Sequence, residues 1–214
     1  MRCVIFVRKR PAIKRTSNDK KERRMNHLLF PDAYADSVFA IDYERLWAMG
    51  YRALMFDIDN TLVHHGADST PEVDAFFAAL HKAGWKTLVL SNNSEERILR
   101  FLNKIDAPYV YEAEKPKTWG YHRALELLGV DKTQAVMIGD QVFTDVLGAN
   151  RCGIANILVR YLRRDGETKI GIRRRVEKAV LWLYRCTAWR RGKLVSAVKK
   201  RGGFLCVNEN TFVS

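Results

Sequence analysis

The feature that most constrains the fold of this chain is a series of five short apolar runs between residues 53 and 159, separated by segments of helical periodicity. β-branched and large apolar residues dominate most of these runs, as in strands that are buried on both faces. Strands that alternate with helices form a parallel sheet with helices on both sides. The predicted strands are residues 53–58, 87–90, 109–111, 135–138 and 157–159.

The segments between these runs carry signals for the ends of helices. Thr70 is a predicted N-cap, Pro71 suits the first helical position, and Gly84 follows the last turn. Comparable patterns predict helices over residues 94–104, 118–128 and 143–151. The sequence therefore predicts an α/β fold, in which a five-stranded parallel sheet has helices on both faces.

The positive charge of the chain lies at its two ends. The 214 residues carry a formal charge of +13 and 47% of them are apolar, as in a globular protein. Residues 1–30 carry +8 and residues 151–214 carry +12, whereas residues 31–150 carry −7. The ends of the chain, rather than its central domain, are therefore the candidates for binding a polyanion.

This charge distribution suggests three parts. Residues 1–24 are basic and lack a hydrophobic period, which predicts a disordered tail. Residues 25–170 are the predicted catalytic domain, and residues 171–214 are a basic amphipathic helix followed by a tail. Either Met1 or Met25 could be the natural start.

The C-terminal extension over residues 172–200 has the pattern of a basic amphipathic helix. Four apolar residues recur at helical spacing among Arg and Lys residues: Ile172, Val176, Val180 and Leu183. Trp182 and Trp189 lie seven residues apart, a placement that suits anchoring at the headgroups of a bilayer. Two interpretations stay open, namely that this helix packs on the domain or that it lies on an anionic membrane.

The composition favours a reduced, cytoplasmic protein. The four cysteines form no pair at zinc-binding spacing and no disulfide framework. No apolar run approaches the 18 or so residues that span a bilayer, and basic residues interrupt any signal-peptide core near the N-terminus. Peripheral attachment to the inner face of the membrane remains an alternative.

Two aspartates follow the first predicted strand, in the sequence DIDNTL that begins at Asp57. Asp57 and Asp59 are two residues apart, which places both on the same side of an extended chain. Ionised carboxylates are costly inside a buried strand, so we expect them at its C-terminal end, where open α/β sheets bind ligands. A pair of carboxylates there indicates a cation or a substrate that uses them.

A second acidic pair, Asp140 and Asp145, follows the fourth predicted strand, and Gly139 allows the tight turn before it. Three or four carboxylates that converge at neighbouring strand ends would repel each other without a divalent cation. Because all of the predicted ligands are hard oxygen donors, Mg²⁺ is favoured over zinc. The sequence therefore predicts a magnesium site.

Ser91, at the end of the second strand, and Lys115, before Pro116, supply a hydroxyl and an ammonium group. Phosphoryl transfer requires positioning and neutralisation of charge on the equatorial phosphate oxygens, which these groups and Mg²⁺ could share. Lys117 is an alternative to Lys115, because it lies two residues further on.

These four stretches, in this order, resemble the four motifs of the haloacid dehalogenase-like superfamily, over roughly residues 50–160. The resemblance implies a Rossmann-like fold with Asp57 as the nucleophile and Asp59 as general acid and then base. It also implies that phosphate binds to Thr61, Ser91, Asn92 and Lys115. The metal ligands that we predict on this basis are Asp57, Asp59, Asp140 and Asp145. Members of the superfamily that only transfer phosphate to themselves, or that dehalogenate, lack this acid, so the presence of Asp59 favours phosphatase activity.

Three stretches resemble the YqeG branch of that superfamily: FPD at Phe30, DIDNTL at Asp57, and GDQVFTDVLGAN at Gly139. This branch is similar to phosphatidylglycerophosphate phosphatases, which implies a lipid-linked phosphomonoester as the substrate. The short connections over residues 62–72 and 93–115 leave no room for an inserted cap domain. An open site suits a phosphate on a large molecule better than a small metabolite.

Three alternatives were weighed against this prediction. A calcium loop beginning at Asp57 lacks the glycine and the glutamate that such a loop requires at its sixth and twelfth positions. A phosphatase acting on nucleic-acid ends or phosphoproteins fits the same catalytic residues. A non-catalytic protein that binds nucleic acid through its basic ends would not need the full set of acids, and no RNA-binding motif is visible.

Overall fold

The structure is a computed structural model that describes residues 28–162, 172–186 and 194–198. The predicted tail over residues 1–24 and Trp189 lie outside these ranges. Six strands form one sheet in the order β1-β6-β5-β2-β3-β4, and their pairings are parallel. The strands are Ala33–Ala35 (β1), Ala53–Phe56 (β2), Lys86–Leu90 (β3), Tyr109–Val110 (β4), Ala135–Gly139 (β5) and Ala155–Val159 (β6).

Six α-helices accompany the sheet in the described ranges: Tyr43–Ala48 (α1), Pro71–Lys82 (α2), Glu95–Phe101 (α3), Trp119–Leu128 (α4), Leu147–Cys152 (α5) and Ile172–Cys186 (α6). Short 3₁₀ helices lie at Val38–Ala40, Leu102–Lys104, Lys132–Gln134 and Val195–Ala197. One turn of π-helix spans Val142–Val146, directly before α5.

The predicted α/β fold with a parallel sheet is confirmed, but the sheet has six strands and not five. The missed strand, β1, has three residues and forms the edge next to β6. Asp32 fixes this edge, because its Oδ2 accepts a hydrogen bond from the backbone of Asn156 at 3.0 Å. So short a strand has too few residues to show a period of its own.

The sheet separates two apolar clusters because the side chains of each strand alternate between its faces. In β2, Leu54 and Phe56 pack with α2 and α3 on one side. Ala53 and Met55 pack with α4 and α5 on the other side. The sheet is therefore covered by helices on both faces, and this leaves the ends of its strands for a functional site.

The predicted helix ends are largely confirmed. The Thr70 hydroxyl accepts a hydrogen bond from the backbone of Val73 at 3.3 Å and caps α2. Gly129 follows α4 with φ of 59°, in the left-handed region that glycine adopts without a steric cost. The helix predicted over residues 143–151 is instead the π turn followed by α5.

Helix α6 packs on the domain through Val180, Leu181 and Tyr184. Val180 and Leu181 contact the cluster that contains Val142, and the Tyr184 ring lies 5.9 Å from the ring of Phe30. Glu177 is buried, and its Oε1 accepts a hydrogen bond from the backbone of Val142 at 3.2 Å.

The predicted apolar stripe of this helix is divided in the structure. Val180 packs on the domain, whereas Val176 and Leu183 are 46% and 50% exposed. Trp182 is 65% exposed beside them. Helix α6 thus combines a packed face with an exposed apolar one. No helix in the described part of the chain is long and apolar enough to cross a membrane.

Candidate active site

The two acidic motifs meet because β2 and β5 are neighbours. The strands are paired in parallel with Phe56 opposite Ile138, so the residues that follow them emerge at the same edge of the sheet. The backbone of Asp57 donates to the Ile138 carbonyl at 3.0 Å. The spatial convergence of the two motifs, on which the prediction of a catalytic site depended, is therefore present.

Three buried carboxylates form the centre of the site. One oxygen from each of Asp57, Asp140 and Asp145 lies within 4.8 Å of the others. Thr61 donates its hydroxyl to Asp140 Oδ1 at 3.3 Å. This donor set of hard oxygens fits Mg²⁺, which prefers carboxylate and water ligands. Asp57, Asp140 and Asp145 are the side chains that would hold the ion.

Lys115 bridges two of these carboxylates. Its Nζ lies 2.7 Å from Asp57 Oδ1 and 2.7 Å from Asp145 Oδ1, and the side chain is almost fully buried. Burial alone would lower the pKa of Lys115, but the charges of Asp145 and Asp57 outweigh it and raise the pKa. Lys115 therefore stays charged and offsets part of the negative charge of the cluster.

The nucleophile candidate, Asp57, is buried, with its side chain 9% exposed. Burial raises its pKa to about 6, although the charge of Lys115 opposes the rise, and Asp145 and Asp59 add to it. A further cation beside such a carboxylate would stabilise its ionised form.

Asn92 holds the backbone of Lys115 in place. Its Nδ2 donates to the Lys115 carbonyl at 3.1 Å, and its Oδ1 accepts from the Lys115 amide at 2.7 Å. The predicted phosphate contact of Asn92 stays a prediction, since its amide is here engaged with the chain itself. Ser91 is buried at the end of β3, and its Oγ accepts a hydrogen bond from the Asn93 amide at 3.3 Å.

Asp59 lies outside the cluster of three carboxylates. Its Oδ1 accepts hydrogen bonds from the Gly66 backbone at 3.0 Å and from Arg97 Nη2 at 2.9 Å. Its Oδ2 accepts from Asn93 Nδ2 at 2.8 Å. The contacts of its side chain are thus with Gly66, Arg97 and Asn93. The predicted role of Asp59 as a metal ligand stays a prediction.

These contacts also set the ionisation of Asp59. Burial raises its pKa, but the hydrogen bonds from Gly66 and Asn93 and the charge of Arg97 together outweigh burial. The net effect is a pKa below the usual value of an aspartate. Asp59 is thus ionised in this structure, the form that can accept a proton.

The position of Asp145 depends on close packing at Gly139 and at Gly148. A Cβ atom on Gly139 would lie 2.4 Å from the Asp145 carboxyl group, so only glycine leaves room for it. Tyr121 donates its hydroxyl to the carbonyls of Thr144 and Asp145 at 3.1 and 3.2 Å. A Cβ on Gly148 would lie 2.5 Å from the Tyr121 hydroxyl. The glycines of the GDQVFTDVLG string thereby allow the π turn to present Asp145.

A groove of about 920 Å³ borders this site at the edge strand β4. Asn92 is the residue that it shares with the site. Its other lining residues are mostly aromatic or acidic and include Tyr109, Tyr111, Trp119 and Glu112. The carboxylate cluster itself is not part of this groove.

Sequence reasoning missed several residues that support the site. Asn93 and Arg97 contact Asp59, Tyr121 supports the turn before α5, and Glu177 holds the start of that turn from α6. Asn93 and Arg97 are four residues apart at the start of a helix, a spacing that can bring two side chains together. This spacing was a signal in the sequence for two of the missed residues.

The chain is similar to known hydrolases and phosphatases. The sequence profile of the haloacid dehalogenase-like hydrolases matches residues 63–153. The protein called probable phosphatase YqeG, of Bacillus subtilis, is 32% identical over 158 residues, which cover 73% of this chain and 92% of the relative. A phosphatidylglycerophosphate phosphatase 1 of Chlamydomonas reinhardtii, called chloroplastic, is 27% identical over 76% of this chain but only 64% of its own length.

Among solved structures, an uncharacterized protein from Listeria monocytogenes is 21% identical, with a TM-score of 0.45 over 63% of this chain and 99% of that one. The parallel α/β sheet and the acidic cluster at the ends of its strands are those of a hydrolase that works through carboxylates. The chain belongs to the haloacid dehalogenase-like hydrolase family, and it is a phosphatase of that family.

Proposed function

We propose that the chain is a Mg²⁺-dependent phosphatase that forms an aspartyl-phosphate on Asp57 and removes the terminal phosphate of phosphatidylglycerophosphate at a membrane surface. The observation that carries the catalytic part is the position of Asp57, whose carboxylate lies 2.7 Å from the Lys115 ammonium and beside Asp140 and Asp145. A nucleophile beside fixed cationic charge is what transfer of a dianionic phosphoryl group requires.

The first step is attack by the Asp57 carboxylate on phosphorus. The bond from phosphorus to the ester oxygen breaks, and the leaving oxygen takes a proton from Asp59. An incoming phosphate dianion raises the pKa of a neighbouring carboxyl group, which favours the protonated form of Asp59 that this step needs.

In the second step, water attacks the phosphorus of the aspartyl-phosphate. Asp59 accepts a proton from this water, inorganic phosphate leaves, and the Asp57 carboxylate is restored. Lys115 remains beside Asp57 and offsets charge on the phosphoryl oxygens. When bound to the three carboxylates, Mg²⁺ supplies further charge neutralisation and orients the phosphate.

The substrate part of the proposal is supported by the relatives and by helix α6. One relative is named a phosphatidylglycerophosphate phosphatase. Residues 172–186 include five Arg and Lys, and the exposed side chains of Val176, Trp182 and Leu183 lie on that helix. A basic helix with an exposed apolar face is the kind that binds at an anionic bilayer surface.

Helix α6 also lies close to the catalytic edge of the sheet. Glu177 accepts a hydrogen bond from the backbone of Val142, three residues before Asp145. Contact of α6 with a membrane would therefore bring the carboxylate cluster near the lipid headgroups. The connection of residues 64–70 between the β2 end and α2 holds no inserted domain that would cover the site.

The substrate proposal is tested by measuring phosphate release from vesicles that contain phosphatidylglycerophosphate. A phosphorylated oligonucleotide and a phosphopeptide serve as the competing substrates, with and without Mg²⁺. We expect kcat/KM for the lipid to be at least about tenfold higher than for either competing substrate, a ratio within the usual range of discrimination between substrates. Removal of Mg²⁺ should abolish turnover.

Faster hydrolysis of the oligonucleotide would assign the enzyme to nucleic-acid ends instead. Absence of turnover on every substrate, together with a shift of nucleic acid on a gel, would contradict the catalytic proposal and favour the binding alternative. Full activity in a chelator would contradict the metal requirement.

The role of helix α6 is tested by replacing its exposed apolar side chains. Trp182→Ala with Leu183→Ala should weaken sedimentation with vesicles of phosphatidylcholine and phosphatidylglycerol by about tenfold or more, because the loss of about 1.4 kcal/mol of burial from the two side chains together is a factor of ten. Turnover of soluble 4-nitrophenyl phosphate should not change. Leu99→Ala is the matched control, since Leu99 on α3 is 50% exposed, as Leu183 is. Equal vesicle binding by both variants and wild type would remove α6 from the proposal.

A further inference from the structure

The carboxylate of Asp59 has one buried cationic partner among the described residues. Arg97 Nη2 lies 2.9 Å from Asp59 Oδ1, with the two side chains 11% and 12% exposed. His65 Nδ1 also approaches Asp59, at 3.2 Å, but its side chain is 74% exposed. The other donors to Asp59, from Gly66 and Asn93, are neutral. Arg97 therefore makes the charged and shielded contact.

Arg97 also fixes the loop that follows the first motif. The same Nη2 donates to the Ala67 carbonyl at 2.7 Å. The neighbouring residue Gly66 donates its amide to Asp59. The carboxylate, the loop and helix α3 are thereby joined through one guanidinium group. Movement of Asp59 away from its present position would break its contacts with both Arg97 and Gly66.

The contacts of Arg97 are not those of a residue placed for stability alone. Its Nε and Nη1 are buried and have no hydrogen-bond partner in the described part of the chain. Burying donors of a charged group without partners costs free energy. A residue kept at such a cost is expected where it serves a site rather than the core.

A second arginine on α3 provides a comparison. Arg100 Nη2 donates to the Gly66 carbonyl at 2.9 Å, and its Nε lies 2.6 Å from Asp68 Oδ1. Arg100 thus fastens the same loop, yet it is 53% exposed, and its contacts within the described residues are with Gly66 and Asp68 rather than with the catalytic carboxylates. Replacing Arg100 therefore tests support of the loop, whereas replacing Arg97 also removes the direct contact with Asp59.

We propose that Arg97 is the positioning residue of the proton-transferring carboxylate, holding Asp59 in the orientation from which it serves the leaving group and the attacking water. The inference rests on the proposed role of Asp59. In the described part of the chain no inserted domain covers this site, and a side chain from the core helix α3 makes the charged contact with Asp59.

The test compares Arg97→Ala, Arg97→Lys and Arg100→Ala in the full chain with Mg²⁺, on 4-nitrophenyl phosphate and on an alkyl phosphomonoester. Arg97→Ala should lower kcat by about tenfold to a hundredfold with little change in KM, as expected for a misplaced catalytic group. The loss should be larger on the alkyl ester, whose leaving oxygen depends more on a proton. Arg97→Lys should recover part of kcat, and Arg100→Ala should lower it by less than about threefold.

A double-mutant cycle with Asp59→Asn then isolates the coupling. Arg97→Ala should cost little further kcat once Asp59 is replaced, because residues that act through each other are not additive. Additive losses, a change confined to KM, or equal losses for Arg97→Ala and Arg100→Ala would each overturn the positioning role. So would a loss of kcat in Asp59→Asn with none in Arg97→Ala.

Failure of the proposed function has a different signature. If Asp59→Asn itself keeps the kcat of the wild type, Asp59 does not transfer the proton, and the positioning role falls with that assignment. Thermal unfolding of each variant accompanies the kinetics. Arg97→Lys keeps the buried positive charge, so it provides a folded variant if Arg97→Ala unfolds.

Discussion

An Asp57→Asn enzyme is expected to lose at least about a thousandfold in kcat, because the amide is not a nucleophile for phosphorus and no covalent intermediate can form. The replacement keeps the size of the side chain and its position at the end of β2. Steady-state hydrolysis of 4-nitrophenyl phosphate with Mg²⁺ measures the loss. Folding should be retained, since the amide oxygen can still accept a hydrogen bond from Lys115, whose Nζ is 2.7 Å from Asp57 Oδ1.

The intermediate itself can be sought by acid quenching during turnover of a substrate labelled in its phosphate. Wild type should carry label that hydroxylamine releases, whereas Asp57→Asn should carry none. Asp106→Asn is the control, because Asp106 is an exposed aspartate outside the site. Label on Asp57→Asn, or kcat within about tenfold of wild type, would mean that another residue is the nucleophile.

The position of Asp57 relative to Asp140 followed from the sequence because the rule behind it is general. Parallel strands end at one edge of the sheet, so motifs after two strands meet whenever those strands are neighbours. The sequence could not prove that they are neighbours. The structure supplies this fact through the pairing of Phe56 with Ile138.

Helix α6 shows what periodicity alone leaves open. A pattern of apolar residues predicts an amphipathic helix, but it does not say which of these residues pack on the domain. Glu177 enters the interface because the amide of Val142 offers it a hydrogen bond, and Val176 and Leu183 are left exposed. The partner of Glu177 lies 35 residues away, so no local pattern could reveal it.

The supporting residues of the site were missed for a related reason. Arg97 acts through a contact with Asp59, 38 positions away, and this contact depends on how a loop folds. Asn92 was predicted to bind phosphate from the family resemblance, and that contact stays a prediction. Its support of the Lys115 backbone, 23 positions away, is a second role that the sequence did not indicate.

Lys115→Met should be the most damaging substitution for the fold of the site. It keeps the length of the side chain but leaves Asp57 and Asp145 buried without their shared cation. Removing one partner of a buried ion pair costs about 3–5 kcal/mol in the free energy of unfolding, because the remaining charge is uncompensated. Urea unfolding at neutral pH without divalent cations measures the loss.

Mg²⁺ should stabilise Lys115→Met more than wild type in the same unfolding experiment, because the ion and the lysine offset charge on the same carboxylates. Asp145→Asn should also recover part of the stability when it is added to Lys115→Met, since one of the facing charges is then removed.

Lys117→Met is the matched control for Lys115→Met, because Lys117 is 66% exposed and pairs only with the exposed Glu114 among the described residues. Its unfolding free energy should change by less than about 1 kcal/mol, as for surface ion pairs in general. Turnover should survive in Lys117→Met and be lost in Lys115→Met. Similar effects of the two substitutions would show that the buried bridge between Asp57 and Asp145 is not what holds the catalytic edge together.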